Sequence, residues 1–225
     1  MPLEQQPSLA LEIERTALNI VAGLQDRVIQ CYEGVVFMDF DKDLMLEHGC
    51  GRYERLDGSA LPTFYLAYVG AGGLRSGRVH SNLRERFESG DSDVLAAMRR
   101  FAEYARCVRS LLLRPAASQE LSPRERTILA DAMDGNFDLR RQILGDAVIG
   151  SDCLLMIEIG RSHGLACKFT GSGGAILCLP REPATFDAAK TADDFRQHGF
   201  SFTVVERHAT WSYSTATRTA STPSS

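Results

Sequence analysis

The run Lys168-Phe169-Thr170-Gly171-Ser172-Gly173-Gly174-Ala175 constrains this chain more than any other segment. It lies between two short apolar stretches, Leu165-Ala166-Cys167 and Ile176-Leu177-Cys178-Leu179, which predicts strand, glycine loop, strand. Three glycines around a serine permit positive φ angles and a close approach of the backbone to a neighbour. Successive N–H groups in such a loop form a concavity suited to an anion, phosphate above all. The same glycines also describe a plain hairpin with no ligand. No Gly-Lys-Ser/Thr closes the loop ahead of a helix, so it is not a Walker A motif, and it is not a dinucleotide fingerprint.

Around this hairpin the periodicity is mixed. Leu9, Ile13, Ala17 and Ile20 predict a helix over about 8–19, and a second helix follows Gly23 and ends near Tyr32. Residues 34–40 read as a strand. Gly49, Gly51, Gly58 and Pro62 read as a loop leading to a strand over 64–69, and Gly70, Gly72, Gly73 and Gly77 break the chain again. Four helices are then expected. Ser81 caps the first, which ends before Gly90. Val94, Met98, Phe101, Ala105, Val108 and Leu112 form one stripe of the second, closed by Pro115. The third opens on a capping box, Ser122 with Glu125, and the fourth runs from near Asp152 to His163-Gly164. After the hairpin come a helix over 185–198 and a last strand over 200–205. Strand, helices, two strands, helix, strand is an α+β, ferredoxin-like split βαβ order with inserted helices.

With 225 residues, 44% apolar and 24% charged, the chain suits one large or two small domains. A net charge of −4 argues against nucleic acid or a membrane surface as partner. Six cysteines lack any C-x-x-C pair, and Cys153, Cys167 and Cys178 sit among apolar residues. Buried reduced thiols in a cytoplasmic protein fit that usage better than disulfides or zinc. Glu4, Glu12 and Glu14 exclude a signal-peptide pattern at the N-terminus, and no stretch reaches transmembrane length. The Ser/Thr-rich end, about 210–225, is expected to be disordered, with Trp211 the one residue in it able to dock on the body.

Among candidate functional residues, Asp26 stands in the first turn of a helix, where free N–H groups and the helix dipole favour a carboxylate. A plain first-turn acid is the alternative, and Arg27 pairs with it or with phosphate, or is simply solvated. Asn136 and Arg140 extend the stripe Leu129, Ala132, Met133, which turns both polar residues inward or leaves them at a face edge. Lys168 either reaches a phosphate or snorkels to solvent. His80 reads as a packing or capping residue, and Arg161, Asp193 and Asp194 as solvated surface.

Four segments carry a family resemblance: the glycine loop, Ile20-Val21-Ala22-Gly23-Leu24-Gln25-Asp26-Arg27-Val28, Ser76-Gly77-Arg78-Val79-His80-Ser81-Asn82-Leu83-Arg84-Glu85-Arg86, and Asn136-Phe137-Asp138-Leu139-Arg140-Arg141. The first resembles the third motif of the GHMP sugar and isoprenoid kinases, and the four together, over roughly residues 9–205, resemble glucuronokinase. That resemblance implies ATP and Mg2+ as cofactors and transfer of the γ-phosphate to the C1 hydroxyl of D-glucuronate. Asp26 is then the catalytic residue. Gly171, Ser172, Gly173 and Gly174 form the phosphate loop, and Arg84, Asn136 and Arg140 bind the sugar acid. It implies residues 1–62 as part of an S5-like catalytic domain, 63–208 as the ferredoxin-like C-terminal domain and 209–225 as a tail. The family's own serine-rich phosphate loop, Pro-x-x-x-Gly-Leu-Ser-Ser/Gly-Ser-Ala, has no counterpart here. The chain therefore resembles roughly the C-terminal two-thirds of a glucuronokinase, expected to be inactive alone. The alternative is a non-catalytic remnant or regulatory module that binds a sugar acid or a partner.

Overall fold

A computed structural model of the chain describes residues 1–20, 23–70, 79–113 and 120–206, without the side chains of 79–82. A 3-10 turn (Leu3–Gln5) leads into two mutually packed helices, α1 (Gln6–Thr16) and α2 (Leu24–Tyr32). Strand β1 (Val35–Asp39) then pairs antiparallel with β2 (Arg52–Leu56). Between them runs α3 (Lys42–His48), capped by the Asp41 carboxylate, which accepts the N–H groups of Asp43 and Leu44. The segment from 41 to 62 is thus not the plain loop its glycines suggest. Gly49 ends α3 with φ 69°, and a Cβ at Gly51 would fall 2.4 Å from the Asp39 carbonyl oxygen. These glycines permit a tight helix-to-strand connection instead of marking a structureless one.

The second part starts with β3 (Tyr65–Val69), continues through α4 (Val79–Glu88), α5 (Ser92–Leu112), α6 (Pro123–Leu144), the one-turn α7 (Asp146–Ile149) and α8 (Ser151–Ser162), and enters the hairpin β4 (Leu165–Phe169) and β5 (Ala175–Pro180). Helix α9 (Ala188–Gln197) and strand β6 (Phe200–Val204) follow. The four strands form one antiparallel sheet in the order β4-β5-β3-β6. Counted along the chain that order is second, third, first, fourth, the arrangement of a split βαβ fold. The capping box of α6 forms as expected: Glu125 N–H donates to Ser122 Oγ, and Ser122 N–H to Glu125 Oε2 at 2.9 Å. Ser81 lies within the helical backbone of α4 and not ahead of it, so it is not the cap, and α7 was not expected. Pro115, the segment Ser76-Gly77-Arg78, Trp211 and the rest of the tail fall outside the described residues, as do the side chains of His80 and Ser81.

Both faces of the sheet are covered. On one, Cys153, Met156 and Ile157 of α8 and Phe195 of α9 pack on Ala67, Cys167, Phe169, Ile176, Cys178 and Phe200. On the other, Leu129, Ala130 and Met133 of α6, with Val108 and Leu111 of α5, cover Ala166 and Leu179. Helix α6 runs beside the edge strand β4 and feeds both clusters, since Phe137 belongs to the first. Fully burying each such large side chain stabilises the fold by roughly 1.5–3 kcal/mol. The small hairpin is tied to this body by Arg109 of α5, whose Nε donates to Glu54 Oε2 at 2.6 Å while its guanidinium covers the Phe37 ring. Cys153, Cys167 and Cys178 are buried free thiols as expected, but Cys107 is exposed and Cys31 half-buried.

Candidate functional site

The glycine loop forms where the chain must reverse between β4 and β5. Thr170 N–H closes on the Ala175 carbonyl, and the Gly174 carbonyl accepts Val69 N–H at 3.0 Å from β3. Gly173 and Gly174 take φ of 138° and 75°, angles that L side chains rarely adopt, which explains glycine at both. The Gly174 N–H donates to the Cys153 thiol of α8 at 3.4 Å. Its donor is therefore spent, whereas among the described residues no partner takes the N–H groups of Gly171, Ser172 and Gly173. Three donors of the loop are available to an anion, one fewer than its four residues suggest.

Arg140 belongs to this loop. From the last turns of α6 its Nη1 donates to the Gly171 carbonyl at 2.7 Å, and its guanidinium lies over the Phe169 ring, 5.0 Å from the centroid. Burial pushes its ionisation down from the usual arginine value. Lys168 is half-buried on β4, and its Nζ donates to the Phe169 carbonyl. Burial, with the charge of Arg140 second, holds its ammonium below the usual lysine range. The inward reading of the Asn136–Arg140 face thus holds for Arg140, and Asn136 is half-buried one turn earlier. Lys168 does not snorkel free; its hydrogen bond ends on the backbone.

Among the described residues, no hydrogen bond or ion pair joins the other candidates to this cluster. Asp26 occupies the first turn of α2 with an exposed carboxylate, and Arg27 Nη1 approaches its Oδ2 at 3.3 Å. Arg27 itself is largely buried and also pairs with Glu14 of α1, leaving its buried Nε without a hydrogen bond. Arg84 is exposed on α4, and among the described residues no hydrogen bond or ion pair joins it to Arg140 or to the loop. Among the described residues no cluster of three or more His, Cys, Asp or Glu side chains has the arrangement to hold a metal. A magnesium ion usually binds through one or two carboxylates plus substrate phosphates.

Arg161 and Asp194 are not the solvated surface their sequence context suggests. Arg161 lies over the Phe137 ring and pairs with Asp134 and Asp138. Asp194 accepts His163 Nε2 at 2.8 Å and stands 3.4 Å from His198 Nδ1. Asp193 is exposed and pairs with Arg196 one turn on. Sequence reasoning missed Glu14, Cys153 and Phe169 as neighbours of the candidate residues. Only the apolar surroundings of Cys153 gave any signal, and they pointed to burial alone.

Comparison with known proteins bears on what this geometry serves. The chain is 36% identical to glucuronokinase 1 of Arabidopsis thaliana over 205 residues, 91% of this chain and 53% of that protein. It is 38% identical to probable glucuronokinase 2 of the same plant over 200 residues, 88% of this chain and 51% of that one. The chain resembles the glucuronokinases in sequence. No protein-family model matches it. In structure the glucuronokinase-like chain matches the Leishmania major mevalonate kinase seen with R-mevalonate, with TM-score 0.56, 15% identity, and coverage of 84% of this chain and 52% of that one. The Methanococcus jannaschii mevalonate kinase gives 0.56 at 11% identity, covering 91% and 56%. The Lin0012 protein of Listeria innocua gives 0.68 at 14%, covering 92% and 62%. These likenesses show the GHMP kinase fold. The glucuronokinase-like chain spans about half the length of the curated relatives it matches. Among the described residues, no helix is long and apolar enough to cross a membrane.

Proposed function

We propose that the chain serves an ATP-dependent sugar kinase of glucuronokinase type, acting on the C1 hydroxyl of D-glucuronate. One observation carries the reading: a glycine loop with three unspent N–H donors, fastened by an arginine, in a chain over a third identical to glucuronokinases. Residues 1–62 would contribute to the catalytic domain and 63–208 form the C-terminal domain, in a cytoplasmic enzyme.

In this reading Asp26 accepts or orients the proton of the attacking C1 hydroxyl. Its exposed carboxylate at a helix N-terminus is open to substrate, and Arg27 limits its rotation. The N–H groups of Gly171, Ser172 and Gly173 face oxygens of the phosphate being transferred, and fixed donors of this kind cost no reorganisation as charge develops. Asn136, Arg140 and Arg84 hold the sugar acid. ATP with Mg2+ supplies the transferred phosphate; phosphoryl transfer asks the protein chiefly for alignment and charge stabilisation.

The test is ATP-dependent formation of glucuronate 1-phosphate by the protein that carries this chain, followed by 31P NMR. A C1 phosphate signal that requires both ATP and glucuronate supports the reading. Phosphorylation at another hydroxyl, or of neutral hexoses alone, overturns it.

A further inference from the structure

We infer that Arg140 and Lys168 together read the carboxylate of an acidic sugar, with Lys168 the specificity-determining residue that the sequence left between phosphate and solvent. The inference rests on the sugar-kinase reading and specifies how its substrate class is chosen.

Charge balance carries it first. Most half-buried arginines elsewhere meet carboxylates, Arg27 with Glu14, Arg86 with Asp91, Arg109 with Glu54, Arg161 and Arg181 with Asp134, while Arg126 donates to the Pro180 carbonyl at 3.4 Å. Among the described residues, Arg140 and Lys168 meet none, although the chain carries 29 acidic side chains. Leaving two cations partly desolvated without a counter-ion is costly, and an anionic ligand removes that cost.

Geometry narrows the ligand. Both cations donate to carbonyls of one short stretch, Lys168 to Phe169 and Arg140 to Gly171, and the Phe169 ring supports the guanidinium from one face. Arg140 spends Nη1 on the loop, so the donors of its remaining edge point elsewhere; a carboxylate is the planar partner such an edge takes. Lys168 adds a point charge with two unspent protons. The N–H groups of Gly171, Ser172 and Gly173 are left for phosphate. Burial and the charge of Arg140 both depress the Lys168 ammonium, a strain that a bound carboxylate relieves. Asp152 and Glu158 of α8 and Asp138 of α6 stand on neighbouring elements, and among the described residues none is paired with either cation.

The experiment measures binding of glucuronate, glucose, inorganic phosphate and ATP to the full chain by saturation-transfer NMR and calorimetry. It compares wild type with Lys168→Met, Lys168→Arg and Arg140→Met, each checked for its melting temperature. Lys168→Met should weaken glucuronate on the order of 10–100-fold, leave glucose unchanged, and be partly rescued by Lys168→Arg. Arg140→Met should do the same to glucuronate and also lower the melting temperature, because the loop loses its tie. Three results overturn the inference: no preference of wild type for glucuronate over glucose, equal losses for both sugars, or dependence on the pair confined to phosphate and ATP. Carboxylate binding that depends on both cations, without any ATP-dependent transfer to C1, would leave this inference standing and remove the kinase reading. Transfer to glucuronate with an unchanged KM in Lys168→Met would do the reverse.

Discussion

The backbone N–H of Cys167 donates to the Oδ1 of Asp134 at 2.9 Å, so a side chain from α6 serves the edge strand β4 as a neighbouring strand would. The same carboxylate receives Arg161 on Oδ1 at 3.1 Å and Arg181 on Oδ2 at 2.7 Å. Arg181 reaches on to Asp131 at 2.8 Å. One aspartate thus satisfies an edge donor and gathers two arginines from α8 and the end of β5.

Replacing Asp134 with alanine should destabilise the chain by about 2–4 kcal/mol, because it strands an edge N–H and leaves two guanidinium groups short of a partner. Asp134→Asn keeps an acceptor for Cys167 and should lose less. Urea denaturation of both variants checks this, and equal midpoints for wild type and Asp134→Ala would refute it.

Two helical glycines should respond differently to a methyl group. A Cβ at Gly160 would meet Cys167 Sγ at 2.5 Å inside the closed core, whereas one at Gly135 would meet the Tyr104 hydroxyl at 2.4 Å, the far end of a movable side chain. Gly160→Ala should cost about 1–3 kcal/mol, and combination with Cys167→Ala should recover part of the loss. Gly135→Ala should cost less, since Tyr104 can turn aside. Thermal melts of these three variants against wild type measure both.

Acid should weaken the cap of α5. The Arg86 hydrogen bond, then the N–H of Val94, hold the Asp91 carboxyl below the usual carboxylate value of 3.8. A folded value below the unfolded one means that this stability is complete above about pH 4 and is lost as pH falls through the folded value. Asp91→Asn retains a capping side chain but cannot pair ionically. Its melting temperature should lie below wild type at pH 7 and converge on it at pH 2. A constant gap across that range would exclude the linkage.

Asp26→Asn should lower kcat for sugar phosphorylation by on the order of 10²–10⁴-fold with a small change in KM, the signature of a lost proton acceptor. The measurement is initial rate against glucuronate at saturating ATP. A near-normal kcat would return Asp26 to an ordinary first-turn acid.

Much of the fold was legible because its signals are local. The capping box at Ser122 and Glu125, the stripe of α5 and the glycine hairpin each depend on residues within a few positions of one another, and each appears near its expected boundaries. The loop expected across 41–62 failed for the same reason: its glycines announced breaks, and they could not announce that α3 and β2 fit between them.

The sequence by itself determined the order of strands and helices from β3 onward, α7 apart, the burial of Cys153, Cys167 and Cys178, and the position of Asp26 in a first helical turn. Tertiary structure alone decided that Arg140 closes on Gly171, 31 residues away, and that Arg161 and Arg181 converge on Asp134. It also decided that Lys168 stays half-buried with no carboxylate partner among the described residues. A charged side chain carries its partner's sign but not its partner's address. Which opposite charge it meets, or fails to meet, is settled when packed helices bring distant backbone together and remove the water that would otherwise screen it.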